Sequence, residues 1–169
     1  MKVKVDDVEL YYEVRGEGDP LIFVHGLFDD SSVWNAQAEL FSADHQVIVY
    51  DLRGHGMSDK PKGNYSMQTL ADDLHALIQE LNLEKATIVA HSMGGMAAII
   101  FTLDHPDRVS RLVLVSSSAK ASVMQRFLMT MGYILPYKTF VRMATRPRYY
   151  KPSKQVAERA LDVAMNTPK

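Results

Sequence analysis

The sequence contains no cysteine among its 169 residues. Without thiols the chain cannot build a disulfide framework or a thiolate metal site. No apolar run approaches the roughly 20 residues that span a bilayer. The first seven residues, MKVKVDD, lack the apolar segment of a secretory signal. These absences favour a globular protein with no membrane span, and a cytoplasmic location is the default expectation.

Charge is distributed unevenly along the chain, although the formal net charge is only −1. Residues 1–119 carry 9 Lys and Arg against 18 Asp and Glu, whereas residues 120–169 carry 10 against 2. A shift this sharp suggests two structural parts. The basic part is either a surface for an anionic partner or a solvated helical face that pairs with the acidic part. Its spacing matches no nucleic-acid-binding motif, so we expect no nucleic-acid partner.

Motifs for metal ions and phosphate groups are missing from the sequence. No histidine pair or carboxylate cluster has the spacing of metal ligands, and no glycine-rich phosphate loop is present. We therefore expect a site that uses no metal and no cofactor.

Strand and helix patterns alternate through the first two thirds of the chain. Residues 2–5 and 8–15 alternate apolar and charged side chains, which predicts an antiparallel hairpin. Continuous apolar runs, typical of strands buried on both faces, occur at 21–24, 47–50, 86–90 and 112–115. Helical patterns occur at 32–41, between Ser66 and Asn82, and from the residue after Ser92 to Asp104. The alternation predicts an α/β fold, a mostly parallel sheet with helices on both faces.

The run AHSMGG at residues 90–95 stands between a predicted strand and a predicted helix. A serine flanked by small residues on such a turn is the nucleophile elbow of acyl-transfer enzymes. The helix that follows directs backbone N–H groups and the positive end of its dipole toward Ser92. Ala90 replaces the first glycine of the Gly-x-Ser-x-Gly pattern, where the requirement is for a small residue. Ser92 is therefore the candidate catalytic nucleophile.

A second run, HGLF at residues 25–28, directly follows the strand at 21–24. Serine hydrolases of this design hold the oxyanion with the N–H of the residue after the nucleophile and an N–H from a loop after an early strand. These positions predict the N–H groups of Met93 and Leu27 as the two donors. The N–H of Phe28 is the competing candidate for the donor from the loop after the strand at 21–24. Gly26 lets the backbone turn toward the substrate. The alternative is a plain tight turn after a buried strand.

The run DLRGHGMSD at residues 51–59 follows the strand at 47–50. Its Asp, Arg and two glycines suit a loop that bonds to itself and holds the adjoining turns. We interpret this loop as structural, because neither Asp51 nor His55 lies at a position that the elbow pattern assigns to catalysis.

These runs, followed by HPDRV at 105–109 and the strand at 112–115, occur in an order that resembles an α/β-hydrolase fold protein of the esterase and lactonase branch. The resemblance covers residues 1–118, the N-terminal portion of such a protein. It implies strand order 1-2-4-3-5-6-7-8 with a helical cap after the sixth strand. Residues 1–118 would then be an incomplete hydrolase core, truncated after the sixth strand, and residues 119–169 a helical cap segment.

The catalytic base and acid that the resemblance implies have no counterpart in the sequence. The family carries its acid after the sixth or seventh strand and its histidine after the eighth. Residues 116–119 are Ser-Ser-Ser-Ala, so the early acid position is empty, and all six histidines precede residue 106. We therefore expect little or no triad activity from this chain alone.

The sequence and the resemblance together predict a hydrolase of small carboxylic esters, with lactones or thioesters as related substrates, acting through an acyl-Ser92 intermediate. Three alternatives stay open: a complementary C-terminal chain that completes the site, a non-catalytic binding protein, and a self-association module. In the last, the strand at 112–115 forms an unpaired apolar edge that invites a homodimer, with the cap as the other candidate surface.

Overall fold

The computed structural model describes residues 1–119 and Thr139. Apart from Ala119 and Thr139, the predicted cap segment lies outside the described residues. The strands are β1 (Lys2–Val5), β2 (Val8–Arg15), β3 (Asp19–Val24), β4 (His45–Tyr50), β5 (Ala86–His91) and β6 (Val109–Val115). The α-helices are α1 (Asn35–Phe41), α2 (Met67–Glu80) and α3 (Ser92–Asp104), and short 3-10 helices cover Ser31–Trp34 and Pro106–Arg108.

The six strands form one sheet in the order β1-β2-β4-β3-β5-β6. β1 and β2 form the predicted antiparallel hairpin, and β2 pairs antiparallel with β4. β3, β4, β5 and β6 run parallel, which confirms the mostly parallel sheet and the order of its first six strands. Parallel strands place their carboxyl ends at one edge of the sheet, where ligand sites of α/β folds form.

Strands β3 and β4 are buried on both faces because helices cover each side of the sheet. On one face Ile22 and Ile48 belong to a core cluster with apolar residues of α2 and α3. On the other face Phe23 and Val49 pack with Trp34 and α1, and the Phe23 and Trp34 ring centroids are 5.0 Å apart. The continuous apolar runs of these strands follow from this double burial.

Helix α2 has the predicted boundaries, and its apolar side chains form one buried stripe. The Ser66 side chain accepts a hydrogen bond from the backbone N–H of Thr69 at 3.0 Å, which caps the first turn. Asn82 follows the end of the helix with a φ of +53°, a left-handed value that stops helical propagation. The stripe buries Leu70, Leu74, Leu77 and Ile78.

Two elements differ from the sequence-based prediction. The segment predicted as one helix over 32–41 is a 3-10 turn followed by α1, since Asp30 caps the 3-10 turn by accepting from the Ser32 N–H. The strand predicted at 112–115 begins at Val109, and it is not buried: Val113, Leu114 and Val115 are 44%, 41% and 37% exposed. β6 is the last strand of the sheet among the described residues, so its apolar run indicates a strand without indicating burial.

None of the helices in residues 1–119 has the length and apolarity needed to cross a membrane.

Candidate active site

Ser92 lies at the junction of β5 and α3 with a backbone φ of +50°. A left-handed conformation at a residue other than glycine costs about 1–3 kcal/mol and persists only where the surroundings impose it. Ser92 is partly exposed, whereas Ala90 is fully buried at 0% exposure, which explains the need for a small residue there. The strand–turn–helix geometry expected around a nucleophilic serine is present, with Ser92 at the strained position.

Two buried glycines let helix α3 begin close to the sheet. A Cβ atom on Gly94 would overlap the backbone oxygen of His25 and lie 2.8 Å from the Val24 Cγ1. A Cβ atom on Gly95 would lie 2.5 Å from the Cβ of Ser117 in the turn after β6. Both positions therefore exclude a side chain, because real Cβ atoms do not approach other heavy atoms this closely.

The loop after β3 packs directly against the elbow. A Cβ atom on Gly26 would lie 2.8 Å from the His91 Nδ1 and 3.2 Å from the Ser92 Cβ, so glycine permits the close approach. Phe28 is buried and has a φ of +63°, a left-handed value. Leu27 is partly exposed between them. The structure thus brings together the loop and the elbow that the sequence predicted as partners.

Met93 is the second residue of α3 and packs, partly exposed, against the core cluster on the α2 and α3 face. Its place in the first helical turn leaves its N–H outside the intrahelical hydrogen-bond ladder, as for the first four N–H groups of any α-helix. The predicted donor therefore lies where an α-helix has N–H groups to offer an anion.

His91 and Asp29 connect the elbow to the same loop. The His91 Nδ1 lies 3.7 Å from the Asp29 Oδ2, which is longer than a hydrogen bond and suits an electrostatic contact. The Asp29 side chain is 6% exposed and that of His91 24% exposed. The Asp29 N–H donates to the Gly26 carbonyl at 3.3 Å, which closes the loop into a turn.

His25 is fully buried and holds the two neighbouring loops in place. Its Nε2 accepts a hydrogen bond from the Leu52 N–H at 3.0 Å, so the proton is on Nδ1, which lies 2.8 Å from the Gly26 carbonyl oxygen. This tautomer leaves neither ring nitrogen available to remove a proton from Ser92. His25 is thus a structural residue of the site.

The Asp51 carboxylate bonds to two backbone segments. One oxygen accepts from the Ser31 N–H and the other from the Met57 N–H, both at 2.7 Å. The Asp51 backbone oxygen accepts from the Ser58 hydroxyl at 2.5 Å. Asp51 is 1% exposed, and these contacts support the structural interpretation of the loop at 51–59.

The contacts recorded for the remaining histidines are with residues other than Ser92. His45 begins β4, at the edge of the sheet opposite Ser92. His105 ends α3, and its ring stacks on that of His75 with centroids 3.7 Å apart. His55 is 4% exposed, with its Nδ1 3.1 Å from the Arg53 carbonyl oxygen.

Sequence reasoning missed Asp29 and Ser117 as contacts of the elbow. The Ser117 hydroxyl donates to the Ser92 carbonyl oxygen at 2.8 Å. A usable signal was present for Ser117, because it follows β6 and the carboxyl ends of the adjacent parallel strands β5 and β6 meet at one edge.

Within residues 1–119, no group of three or more His, Asp or Glu side chains has the arrangement of a metal site.

The family model for the alpha/beta hydrolase fold matches residues 19–139. This span contains the elbow, the loop after β3 and the loop after β4. The chain belongs to the alpha/beta hydrolase fold family.

Known proteins similar to this chain include hydrolases of several kinds. The chain is 35% identical to 3-oxoadipate enol-lactonase 2 of Acinetobacter baylyi over 116 residues, 68% of this chain and 43% of that protein. It is 36% identical to fluoroacetate dehalogenase of a Burkholderia species over 118 residues, 67% of this chain and 39% of that protein. The crystal structure of the enol-lactonase from Burkholderia xenovorans superposes with a TM-score of 0.86 at 27% identity, covering 99% of this chain and 68% of that one. The chain spans less than half the length of the two curated relatives.

Proposed function

We propose that this chain carries the nucleophile and the oxyanion-binding loop of a serine hydrolase that acts on carboxylic esters, including lactones or thioesters. The observation that carries the proposal is the left-handed Ser92 at the β5–α3 junction, with the Gly26 loop packed against it. Family membership and the similarity to two enol-lactonases support this class of substrate.

In the proposed reaction the Ser92 Oγ attacks the substrate carbonyl carbon, and the N–H groups of Leu27 and Met93 hold the oxyanion, with Phe28 N–H as the competing donor. A base takes the Ser92 proton and passes it to the leaving oxygen when the carbon–oxygen bond breaks, which leaves acyl-Ser92. Water then attacks the acyl carbon and releases the acid and the free serine.

We assign the base and its acid partner to a complementary C-terminal chain or segment. Every histidine of the sequence lies in residues 1–119, and within the described residues none of them hydrogen-bonds to the Ser92 hydroxyl. The chain alone is therefore expected to show at most the residual catalysis of an oxyanion site without its triad base, about 10³–10⁴ over water in well-studied proteases.

The serine at position 92 also decides between reaction types within the family. A fluoroacetate dehalogenase and an epoxide hydrolase are also similar to the chain, but the family resemblance implies an aspartate nucleophile for those two reactions. A serine gives an acyl-enzyme from an ester, so we do not assign dehalogenation or epoxide opening to this chain.

Covalent labelling of the purified chain tests the proposal. Incubation with excess fluorophosphonate, followed by intact-mass and peptide analysis, is expected to give slow, single-site phosphonylation of Ser92. The S92A variant is expected to remain unlabelled, because it lacks the attacking oxygen. S110A is the matched control, since Ser110 is exposed on β6, and it should label as the wild type does.

Equal labelling of the wild type and S92A, or no labelling of the wild type, would contradict the assignment of Ser92. Fast turnover of an activated aryl ester by the chain alone, abolished in S92A, would instead show that the chain already contains a base.

A homodimer through β6 is a second proposal, favoured by the exposed apolar residues Val113, Leu114 and Val115 at the end of the sheet. Among the described residues β6 pairs only with β5, and a strand edge left unpaired can template pairing with another chain. We expect a dimeric mass in sedimentation velocity at micromolar concentration, reduced to a monomeric mass in V113K and unchanged in the S110K control. A monomeric wild type would contradict this proposal.

A further inference from the structure

The Ser92 backbone is held from the neighbouring strand as well as from its own. The Ser117 hydroxyl, in the turn after β6, donates a hydrogen bond of 2.8 Å to the Ser92 carbonyl oxygen and is partly buried. The two residues are 25 positions apart in the chain. The contact forms because β5 and β6 are adjacent and parallel, with His91 paired to Val115 at their carboxyl ends.

The hydrogen bond from Ser117 contacts a residue, Ser92, whose backbone conformation is unfavourable without surrounding contacts. Ser92 has a φ of +50°, and a left-handed serine persists only where its surroundings fix it. The Ser92 carbonyl belongs to the peptide group that joins it to Met93, so its direction also sets the direction of the Met93 N–H. A carbonyl has two lone pairs and can accept from Ser117 while it also accepts a helical hydrogen bond.

The Ser117 side chain fills the space that the missing side chain of Gly95 leaves. A Cβ atom on Gly95 would lie 2.5 Å from the Ser117 Cβ and would overlap its hydroxyl oxygen, so glycine leaves the space that Ser117 occupies. Ser116 has a φ of +49°, which turns the chain directly before Ser117. The hydrogen bond therefore joins two turns, the one after β5 and the one after β6. Each turn contains a left-handed serine, Ser92 in the first and Ser116 in the second.

We propose that Ser117 is a positioning residue for the catalytic site: its hydrogen bond to the Ser92 carbonyl orients both the attacking serine and the Met93 oxyanion donor. This inference rests on the proposed hydrolase function. It assigns a role to the turn after β6, which the sequence pattern had marked only as lacking an acid. Ser117 itself contacts no reacting atom and acts through Ser92.

The S117A variant tests the inference in the full 169-residue chain, and S110A, a serine change on β6 itself, is the control. We measure saturation kinetics of Ser92 phosphonylation by a fluorophosphonate, well below the unfolding transition of each variant. S117A is expected to lower the maximal labelling rate about tenfold, because even small misplacement of a reacting group reduces rate strongly. The probe concentration at half-maximal rate should stay unchanged, since Ser117 does not touch the probe.

A wild-type labelling rate in S117A would overturn the inference, as would a change confined to the half-maximal probe concentration. Amide resonances of uniformly ¹⁵N-labelled protein supply a readout independent of reactivity: Met93 and Gly94 should shift in S117A and not in S110A. Failure of the wild type to label would refute the proposed function alone, and the Met93 shift would then decide the positioning role. Unshifted Met93 and Gly94 resonances in S117A would refute it.

Discussion

Replacing Asp73 by alanine is expected to lower the free energy of unfolding by about 3–5 kcal/mol, because the change leaves a buried guanidinium without its counter-charge. Arg53 is 2% exposed and Asp73 is 1% exposed. The Arg53 Nε and Nη2 each donate to one Asp73 carboxylate oxygen, both at 2.6 Å, and this carboxylate raises the pKa of Arg53. The pair ties the loop at 51–59 to α2. Urea unfolding of the wild type and D73A at neutral pH measures the loss.

Two further variants separate the cost of an unpaired charge from other effects. D72A removes the exposed neighbouring carboxylate on α2, and it should change stability by less than about 0.5 kcal/mol. R53M/D73L replaces both partners with apolar groups, which is often neutral for a buried pair, so it should recover most of the stability that D73A loses. Asp7, 3.8 Å from the Arg53 Nη2, is a weak substitute because its side chain is 68% exposed. Equal losses in D73A and the double variant would contradict this explanation.

Acidification from pH 6.5 to pH 4 is expected to cost the protein about 3 kcal/mol of stability through His55 alone. Burial, aided by the nearby His25, lowers the pKa of His55 from 6.5 to about 4. In this window the unfolded chain therefore binds a proton that the folded chain does not, and stability falls as the pH falls. Each unit of pKa difference corresponds to about 1.4 kcal/mol, and the loss levels off below pH 4.

H55F removes the titrating group and keeps a ring beside His25, whose centroid is 5.1 Å from that of His55. The variant loses the hydrogen bond to the Arg53 carbonyl, so it is expected to be less stable than the wild type at pH 7. Its stability should nevertheless fall less between pH 7 and pH 4.5 than that of the wild type, as measured by urea unfolding at both values. The same fall in both proteins would show that His55 does not carry the acid sensitivity.

Much of the fold was predictable because its signals are local. The apolar run of β3 predicts burial on both faces, and the spacing of apolar residues in α2 predicts burial of one helix face. Ser66 and Asn82 mark where α2 begins and ends. β6 shows the limit of this reasoning: its residues form a strand as predicted, but their exposure depends on what lies beside the strand. Such information is not contained in the run itself.

The candidate site divides in the same way. The turn at Ser92 requires a small residue at position 90, and the close approach of the neighbouring loop requires glycine at position 26. Both requirements appear as residue types, so the sequence alone predicted both positions. The left-handed φ of Phe28 and the buried, structural state of His25 depended on the packed loops around them. Histidine by itself is compatible with a catalytic or a structural role, and only its partners distinguish the two.

The sequence alone therefore determined the fold class and the order of the motifs, and it predicted Ser92 as the nucleophile position, because these depend on residue type and spacing. The tertiary structure decided which residues contact Ser92 and His91 at the elbow. Ser117 lies 25 residues from Ser92, and Asp29 lies on a different strand–loop unit from His91. Their contacts exist because parallel strands bring distant loops to one edge of the sheet, and a linear pattern does not encode the distances between those loops.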